Sequence, residues 1–172
     1  MENVKIINED LFSIGKYEFI KFTCDDGNVI GVLKDSLGDM RFGDSNDFSK
    51  SDILKNLTEK FLPEIESIVG VDNVLEFETD LISLDGLRTY DACNAKCSLM
   101  TFDMARSYVD ILDRYKLDQY WWLSTPWSTP EHGYSSTVCI VSPSGYFGSY
   151  GYGFNCDGVR PFCILKSDIF VS

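Results

Sequence analysis

The sequence predicts an α+β fold in which short, mostly antiparallel strands pack against two helical segments. Three observations support this class. Helical periodicity occurs only in the first two thirds of the chain, β-rich runs with turn residues follow it, and 44% of the 172 residues are hydrophobic, which is typical of a globular chain. We expect one domain over residues 1–172, with an N-terminal hairpin and acidic helical part at 1–112 and a Trp/Tyr/Gly-rich β part at 113–172.

The first predicted element is a β-hairpin. Residues 17–22 and 28–33 are rich in strand-forming side chains, and Asp25-Asp26-Gly27 between them is a turn signal. Residues 35–50 are expected to form a loop, since they are mainly Asp, Ser, Gly and Asn with isolated apolar residues.

Two helical segments are predicted next. Ser49 or Ser51 can cap the first, Pro63 should kink or restart it, and Gly70 should end it. A strand at 73–79 and a loop at 83–91 follow, and the second helix is expected to begin at Thr101. The apolar face of the second helix is read as core packing: Met104, Ala105, Tyr108, Ile111 and Leu112.

The last third favours β structure. Strands are predicted at 120–123, 137–141, 146–150 and 159–165. Turns are predicted at Pro143-Ser144-Gly145 and at Asp157-Gly158.

The charge and the cysteine content limit the classes of function that the sequence allows. A net charge of −12 argues against simple electrostatic binding to nucleic acid or to an anionic membrane. There is no run of about 18 apolar residues and no signal-like N-terminus, so we expect a cytoplasmic protein with six reduced thiols. Cys93 and Cys97, with His132 as the one histidine, do not form the two paired ligand sets of a structural zinc site, and neither a metal nor a cofactor is predicted.

Seven acidic residues lie between Lys60 and Arg88 without an intervening base. They have two interpretations: a solvated face that keeps the protein soluble, or a surface that imitates a phosphate backbone. The second requires all seven to share one face: Glu64, Glu66, Asp72, Glu76, Glu78, Asp80 and Asp85.

Residues 144–156 are dominated by Gly, Tyr, Ser and Phe. This mixture combines rigid aromatic contact area with an adaptable backbone, as in the binding loops of antibodies. The same composition also fits a Gly-broken hairpin whose aromatic side chains fill the core. The residues alone leave both interpretations open.

Two motifs in the last third resemble a known family. Trp121-Trp122-Leu123-Ser124-Thr125-Pro126, followed by Gly158-Val159-Arg160-Pro161-Phe162, resembles a bacterial and phage domain family of unassigned function. That family is similar to the C-type-lectin-like fold of formylglycine-generating enzymes and of phage receptor-binding proteins. Ser124 and Phe162 depart from the pattern, where Arg and Ala are common, while Arg160 matches it and is expected to hydrogen-bond carbonyls or a carboxylate.

The resemblance implies a binding scaffold that presents its ligand surface on loops 127–134 and 146–155. The lectin-type calcium motifs are absent, so calcium and sugar binding of that kind are not predicted. The residues predicted to bind a partner are Trp127, His132, Tyr134, Tyr146, Phe147, Tyr150, Tyr152, Phe154 and Asn155.

No catalytic set is predicted. His132 could act as a base with Glu131 beside it, but neighbouring loop residues rarely point together. The first hypothesis is therefore a non-enzymatic, phage- or prophage-type protein-binding module. The second is an acidic intracellular inhibitor, of anti-CRISPR type, that occupies the basic groove of a host defence nuclease.

Overall fold

A computed structural model describes residues 3–153 and 155–170 of the protein. Within them the chain is an α+β domain of mostly antiparallel strands with few helices, as predicted. The strands are β1 Val4–Ile6, β2 Leu11–Ile14, β3 Tyr17–Thr23, β4 Val29–Leu33, β5 Asp39–Arg41, β6 Val74–Leu75, β7 Phe77–Thr79, β8 Cys93–Ala95, β9 Cys97–Leu99, β10 Trp121–Pro126, β11 Thr137–Val141, β12 Phe147–Gly151, β13 Cys156–Gly158 and β14 Pro161–Leu165. The α-helices are α1 Asp52–Asn56, α2 Leu62–Val69, α3 Phe102–Ser107 and α4 Val109–Leu112.

The larger sheet has the order β1-β2-β3-β4-β14-β6, and β9 also pairs with β14. The predicted hairpin forms its centre, with Phe19 opposite Leu33 and Thr23 opposite Val29. The closing strand β14 lies between β4 on one side and β6 and β9 on the other. Strand β14, near the C-terminus, thus belongs to the same sheet as the N-terminal hairpin of β3 and β4.

The second sheet has the order β12-β11-β10-β13-β5. All of its pairings are antiparallel except that of β10 with β13. The Trp-rich strand β10 is central and buried at every position. The Tyr/Gly-rich strand β12 lies at the edge. A small third sheet pairs β7 with β8.

The predicted ends of the helical segments agree with the structure. The hydroxyl oxygen of Ser51 accepts a hydrogen bond from the backbone N–H of Leu54, and Thr101 caps α3 in the same way through Met104. Residues 57–61 form a π-helical turn between α1 and α2, so that Pro63 stands in the first turn of a restarted helix, where its missing N–H costs little. The helix ends at Gly70, whose φ is +94°.

Several predicted elements need correction. The 73–79 strand is two strands in different sheets, β6 and β7, and the predicted turn at Asp157-Gly158 is the strand β13. The loop over 35–50 contains β5, and β8 and β9 had no sequence prediction. Each of these strands is only two or three residues long, so no periodic pattern can develop within it.

The hydrophobic core consists of two clusters of buried side chains. One is centred on Phe12, Phe19 and Trp122, and the other on Trp121, Leu123 and Phe162. The two adjacent tryptophans therefore enter different clusters, because successive side chains of a strand point to opposite faces of its sheet.

Candidate functional site

The most highly connected polar side chain outside the core is Asp85, in the loop after β7. Ser83 and Ser128 both donate hydroxyl hydrogen bonds to its carboxylate, and His132 Nδ1 lies 2.7 Å from its Oδ2. These contacts hold the pKa of Asp85 well below its usual range, mainly through the Ser128 and Ser83 hydrogen bonds. The ionised carboxylate therefore fastens the 83–87 turn to the 128–132 loop.

Asp85 also fixes the orientation of the only histidine. A carboxylate can only accept, so Nδ1 of His132 is the donor and Nε2 is left as the outer ring nitrogen. This is the orienting contact that a general base requires. However, both serine hydroxyls donate to Asp85 instead of contacting His132, so no nucleophile–base–carboxylate relay is assembled among the residues described.

A second polar layer supports the same loop. Thr89 Oγ1 lies 2.6 Å from Thr129 Oγ1 and donates to Glu131 at 2.9 Å. The buried amide of Asn46 donates to the main-chain oxygens of Ser128 and Thr137 at 2.8 and 3.1 Å. The 127–133 loop is therefore held from two sides by side chains distant in sequence.

Beside this clamp an open groove has a volume of about 480 Å³, which we call the Trp127 groove. It is lined by Leu84, Asp85, Trp127, Ser128, His132 and Tyr134. Tyr134 is 49% exposed, and His132 is also exposed. The groove thus brings together three residues of the predicted partner-binding set and one of the predicted acidic set.

The predicted residues of the Tyr/Gly-rich segment lie elsewhere. Tyr146 is 58% exposed, whereas Phe147, Tyr150 and Tyr152 are half-buried. Phe147 packs edge-on against Phe102 with ring centroids 5.0 Å apart.

The inner part of that segment contacts the core. Tyr150 packs against Tyr120 at 4.8 Å, and both Tyr150 and Tyr152 contact the Phe12 cluster. Asn155 is half-buried, with its side-chain amide 3.5 Å from the Gly151 carbonyl oxygen. Phe154 lies outside the described residues. The two interpretations of this segment therefore both apply in part: Tyr146 is presented to solvent, and its half-buried neighbours pack inward.

Four of the seven predicted acidic residues have partners within the chain. Glu64 pairs with Lys16 at 3.5 Å and Glu66 with Lys96 at 3.0 Å. Asp80 pairs with Arg88 at 3.4 Å, and Asp85 is held in the clamp. The other three are exposed and form no ion pair with any described residue: Asp72, Glu76 and Glu78.

The thiols show no disulfide among the described residues, and Cys156 is the exposed one. Cys139 is fully buried, and burial raises the pKa of its thiol to about 12. Over residues 3–153 and 155–170, no cluster of three or more His, Cys, Asp or Glu side chains is arranged to hold a metal ion. No helix in that part of the chain is long and apolar enough to cross a membrane.

The clamp was not predicted from the sequence. Asp85 and His132 belong to different predicted sets, and Ser83 and Thr89 belong to neither. Ser128 and Thr129 are predicted only as part of the ligand loop 127–134. Asp85 and His132 are 47 positions apart, and no spacing rule connects them. The available signals were the Asp85-Gly86 turn and the Pro-Glu-His-Gly loop, which indicate local turns and not their contact.

The comparisons with known proteins establish the family. The family described as "Domain of unknown function (DUF6273)" matches residues 79–167, which are 89 of the 172 residues and include the clamp and both quoted motifs. The chain therefore belongs to this family, and the prediction of a family of unassigned function is confirmed. No curated protein and no solved structure matches the chain.

Proposed function

We propose that the protein is a non-enzymatic protein-binding module whose contact surface is the Trp127 groove. The observation that carries this proposal is the clamp on Asp85, which fixes a loop whose aromatic side chains remain accessible. A surface fixed before binding loses little conformational entropy on association, so more of its contact energy appears as affinity. Tyrosine and tryptophan are also the side chains that most often dominate binding energy at protein interfaces.

The proposed scaffold is C-type-lectin-like and of phage or prophage type. Supporting features are the short strands, the buried Trp-rich strand β10 and the loop surface that directly follows it. In this arrangement the sheets supply rigidity and the loops supply recognition. An experimental structure in which β10 and β14 do not lie where C-type-lectin-like domains place the corresponding strands would contradict the proposed scaffold. It would leave the proposal for the Trp127 groove unaffected.

The acidic-inhibitor alternative has weaker support. Ion pairs and the clamp already engage four of the seven carboxylates on which it depends. It remains a distinct outcome of the experiment below, because an electrostatic interface loses affinity steeply with salt and an aromatic one does not.

The test uses a photo-crosslinking residue at position 134 and, as a matched control, at position 146. Both positions hold an exposed tyrosine, but only Tyr134 lines the Trp127 groove. We expect a partner from a host lysate to be crosslinked at position 134 and not at position 146. The captured partner is then purified, and its Kd is measured against Tyr134→Ala and Tyr146→Ala at low and high salt.

Truncating a central aromatic anchor costs about 2 kcal/mol or more, which is about 30-fold in Kd. We expect that loss for Tyr134→Ala and little change for Tyr146→Ala. Equal losses in the two variants, or a loss confined to Tyr146→Ala, would contradict the assignment to the groove. Binding that disappears in high salt and is indifferent to both variants would favour the acidic inhibitor.

A further inference from the structure

A fully buried arginine lies between the two sheets. Arg160 is 0% exposed, and its guanidinium carbon lies 5.1 Å from the centre of the Trp121 ring. Burial lowers the pKa of Arg160 to about 10, so it keeps its charge at neutral pH. No described carboxylate forms an ion pair with it.

The hydrogen bonds of Arg160 leave part of its donor capacity unused. Nε donates to the Leu33 carbonyl at 2.8 Å, and Nη2 donates to the carbonyls of Lys34 and Tyr115 at 2.7 and 2.6 Å. A guanidinium has five N–H groups, and the two on Nη1 donate to no described residue. The expectation that Arg160 binds carbonyls is confirmed, but these three bonds use only Nε and Nη2.

A small cavity adjoins this arginine, and we call it the Arg160 cavity. Its volume is about 20 Å³, and a buried water needs about 10 to 15 Å³ of such space. It therefore has room for one or two water-sized groups, such as the two oxygens of a carboxylate. The buried Ser142 is one polar residue in its wall, and six lining residues are apolar: Ala105, Val109, Leu112, Trp121, Val141 and Phe147.

Two opposite charges lie at the edge of the cavity. Asp113 and Lys116 both line it, and both are exposed. They lie close to Gly145, where an added Cβ would be 2.8 Å from Asp113 Oδ1 and 3.4 Å from Lys116 Cε. Gly145 has φ +94° and belongs to the turn between β11 and β12, so that turn and the residues after α4 together border the cavity.

We propose that the Arg160 cavity binds a small carboxylate, of the size of formate, through the Nη1 group of Arg160. The buried, unpaired positive charge supplies the attraction, since an ion taken out of water is stabilised by an opposite charge in a low-dielectric site. The Ser142 hydroxyl in the wall is already engaged by Ser144 Oγ and the Tyr146 N–H, and the volume sets the size limit. This site shares no lining residue with the Trp127 groove and does not depend on the proposed function.

The experiment is a titration of the 172-residue chain with sodium formate, followed by NMR of the Arg160 Nε–H and Gly145 amide signals. Sodium chloride at matched ionic strength and sodium benzoate are the reference titrations. We expect a saturable shift with formate, and none with benzoate, which is too large for the cavity. A linear response to formate, or an equal response to chloride, would overturn the proposal.

Substitutions of the charged residues at the edge of the Arg160 cavity test where formate binds, without altering Arg160 itself. Lys116→Gln should raise the Kd for formate and Asp113→Asn should lower it, each by about two- to fivefold, as expected for a partly solvated charge. Arg114→Gln and Asp118→Asn are the matched controls, because they remove the same charges from exposed residues that do not line the cavity. If each control changes the Kd as much as its matched variant, the anion is not in the cavity and the proposal fails.

A filling variant provides a second test. Val109 is half-buried in the cavity wall, and Val109→Phe should abolish the formate response while the remaining NMR spectrum keeps its dispersion. An undiminished response in that folded variant would also refute the site. Should Val109→Phe fail to fold, the edge variants still decide the outcome.

Discussion

Asp157 is expected to destabilise the folded protein at neutral pH. It is 8% exposed on β13, and its Oδ2 has no hydrogen-bond partner among the described residues. The neighbouring strand β5 brings Asp39 opposite Gly158, next to Asp157. Burial, and secondarily the charge of Asp39, raise the pKa of Asp157 to about 6 from an ordinary value of 3.8.

The sign of the effect follows from linkage. Because the folded-state pKa of Asp157 is the higher one, this residue imposes no penalty below about pH 4, a penalty that grows as the pH rises towards 6, and a constant penalty above that. At about 1.36 kcal/mol per pKa unit the full difference corresponds to about 3 kcal/mol. Solvent screening of the partly hydrated carboxylate reduces this, so we expect a penalty of about 1 to 3 kcal/mol at pH 7.

The test compares Asp157→Asn with the wild-type protein by urea unfolding between pH 3.5 and about 7.5, a range that spans both pKa values. The variant should be more stable at pH 7 by about 1 to 3 kcal/mol and similar in stability below pH 4. Asp39→Asn is the partner variant and should reproduce a smaller part of the gain. The reasoning is refuted if the advantage of Asp157→Asn does not depend on pH, or if the variant is less stable at pH 7.

Three further outcomes are expected. Arg160→Met should lower the free energy of unfolding by about 3 kcal/mol or more, because it removes the hydrogen-bond donors of three main-chain carbonyls. A loss below about 1 kcal/mol in urea unfolding would contradict this. Ser128→Ala should raise the pKa of Asp85 in an NMR titration and speed amide exchange in the 128–133 loop, and unchanged values would show that the clamp does not hold the loop. Cys156 should react first with iodoacetamide while Cys139 stays unmodified in the folded state, and mass spectrometry showing early Cys139 labelling would refute its burial.

Local signals in the sequence determined much of the fold. The hairpin at 17–33, a serine cap before the first helical segment and the beginning of the second near Thr101 are predicted correctly, because turn residues and capping side chains act within a few positions of themselves. Of the two candidate serines, the structure shows that Ser51 is the cap of α1. The strand at Thr137–Val141 was predicted at its observed bounds, since it is long enough to carry a pattern. The very short strands were not, because tertiary pairing defines them.

The candidate sites depend on contacts between distant positions. Asp85 meets His132 across 47 positions, and Arg160 meets the Leu33 carbonyl across 127. The identity of these residues showed that they could accept or donate hydrogen bonds, but not with which partner. Exposure was equally undetermined, since Tyr146 and Tyr150 occur in the same motif but differ in burial.

The sequence by itself determined the α+β class, the hairpin and the beginnings of the two helical segments. Only the tertiary structure decided that Asp85 clamps the His132 loop, that the Tyr/Gly-rich strand lies at a sheet edge, and that a cavity adjoins Arg160. The physical reason is the sequence separation of the interacting residues. Propensity and capping depend on neighbours along the chain, whereas burial and side-chain pairing depend on which strands lie side by side in the completed sheets.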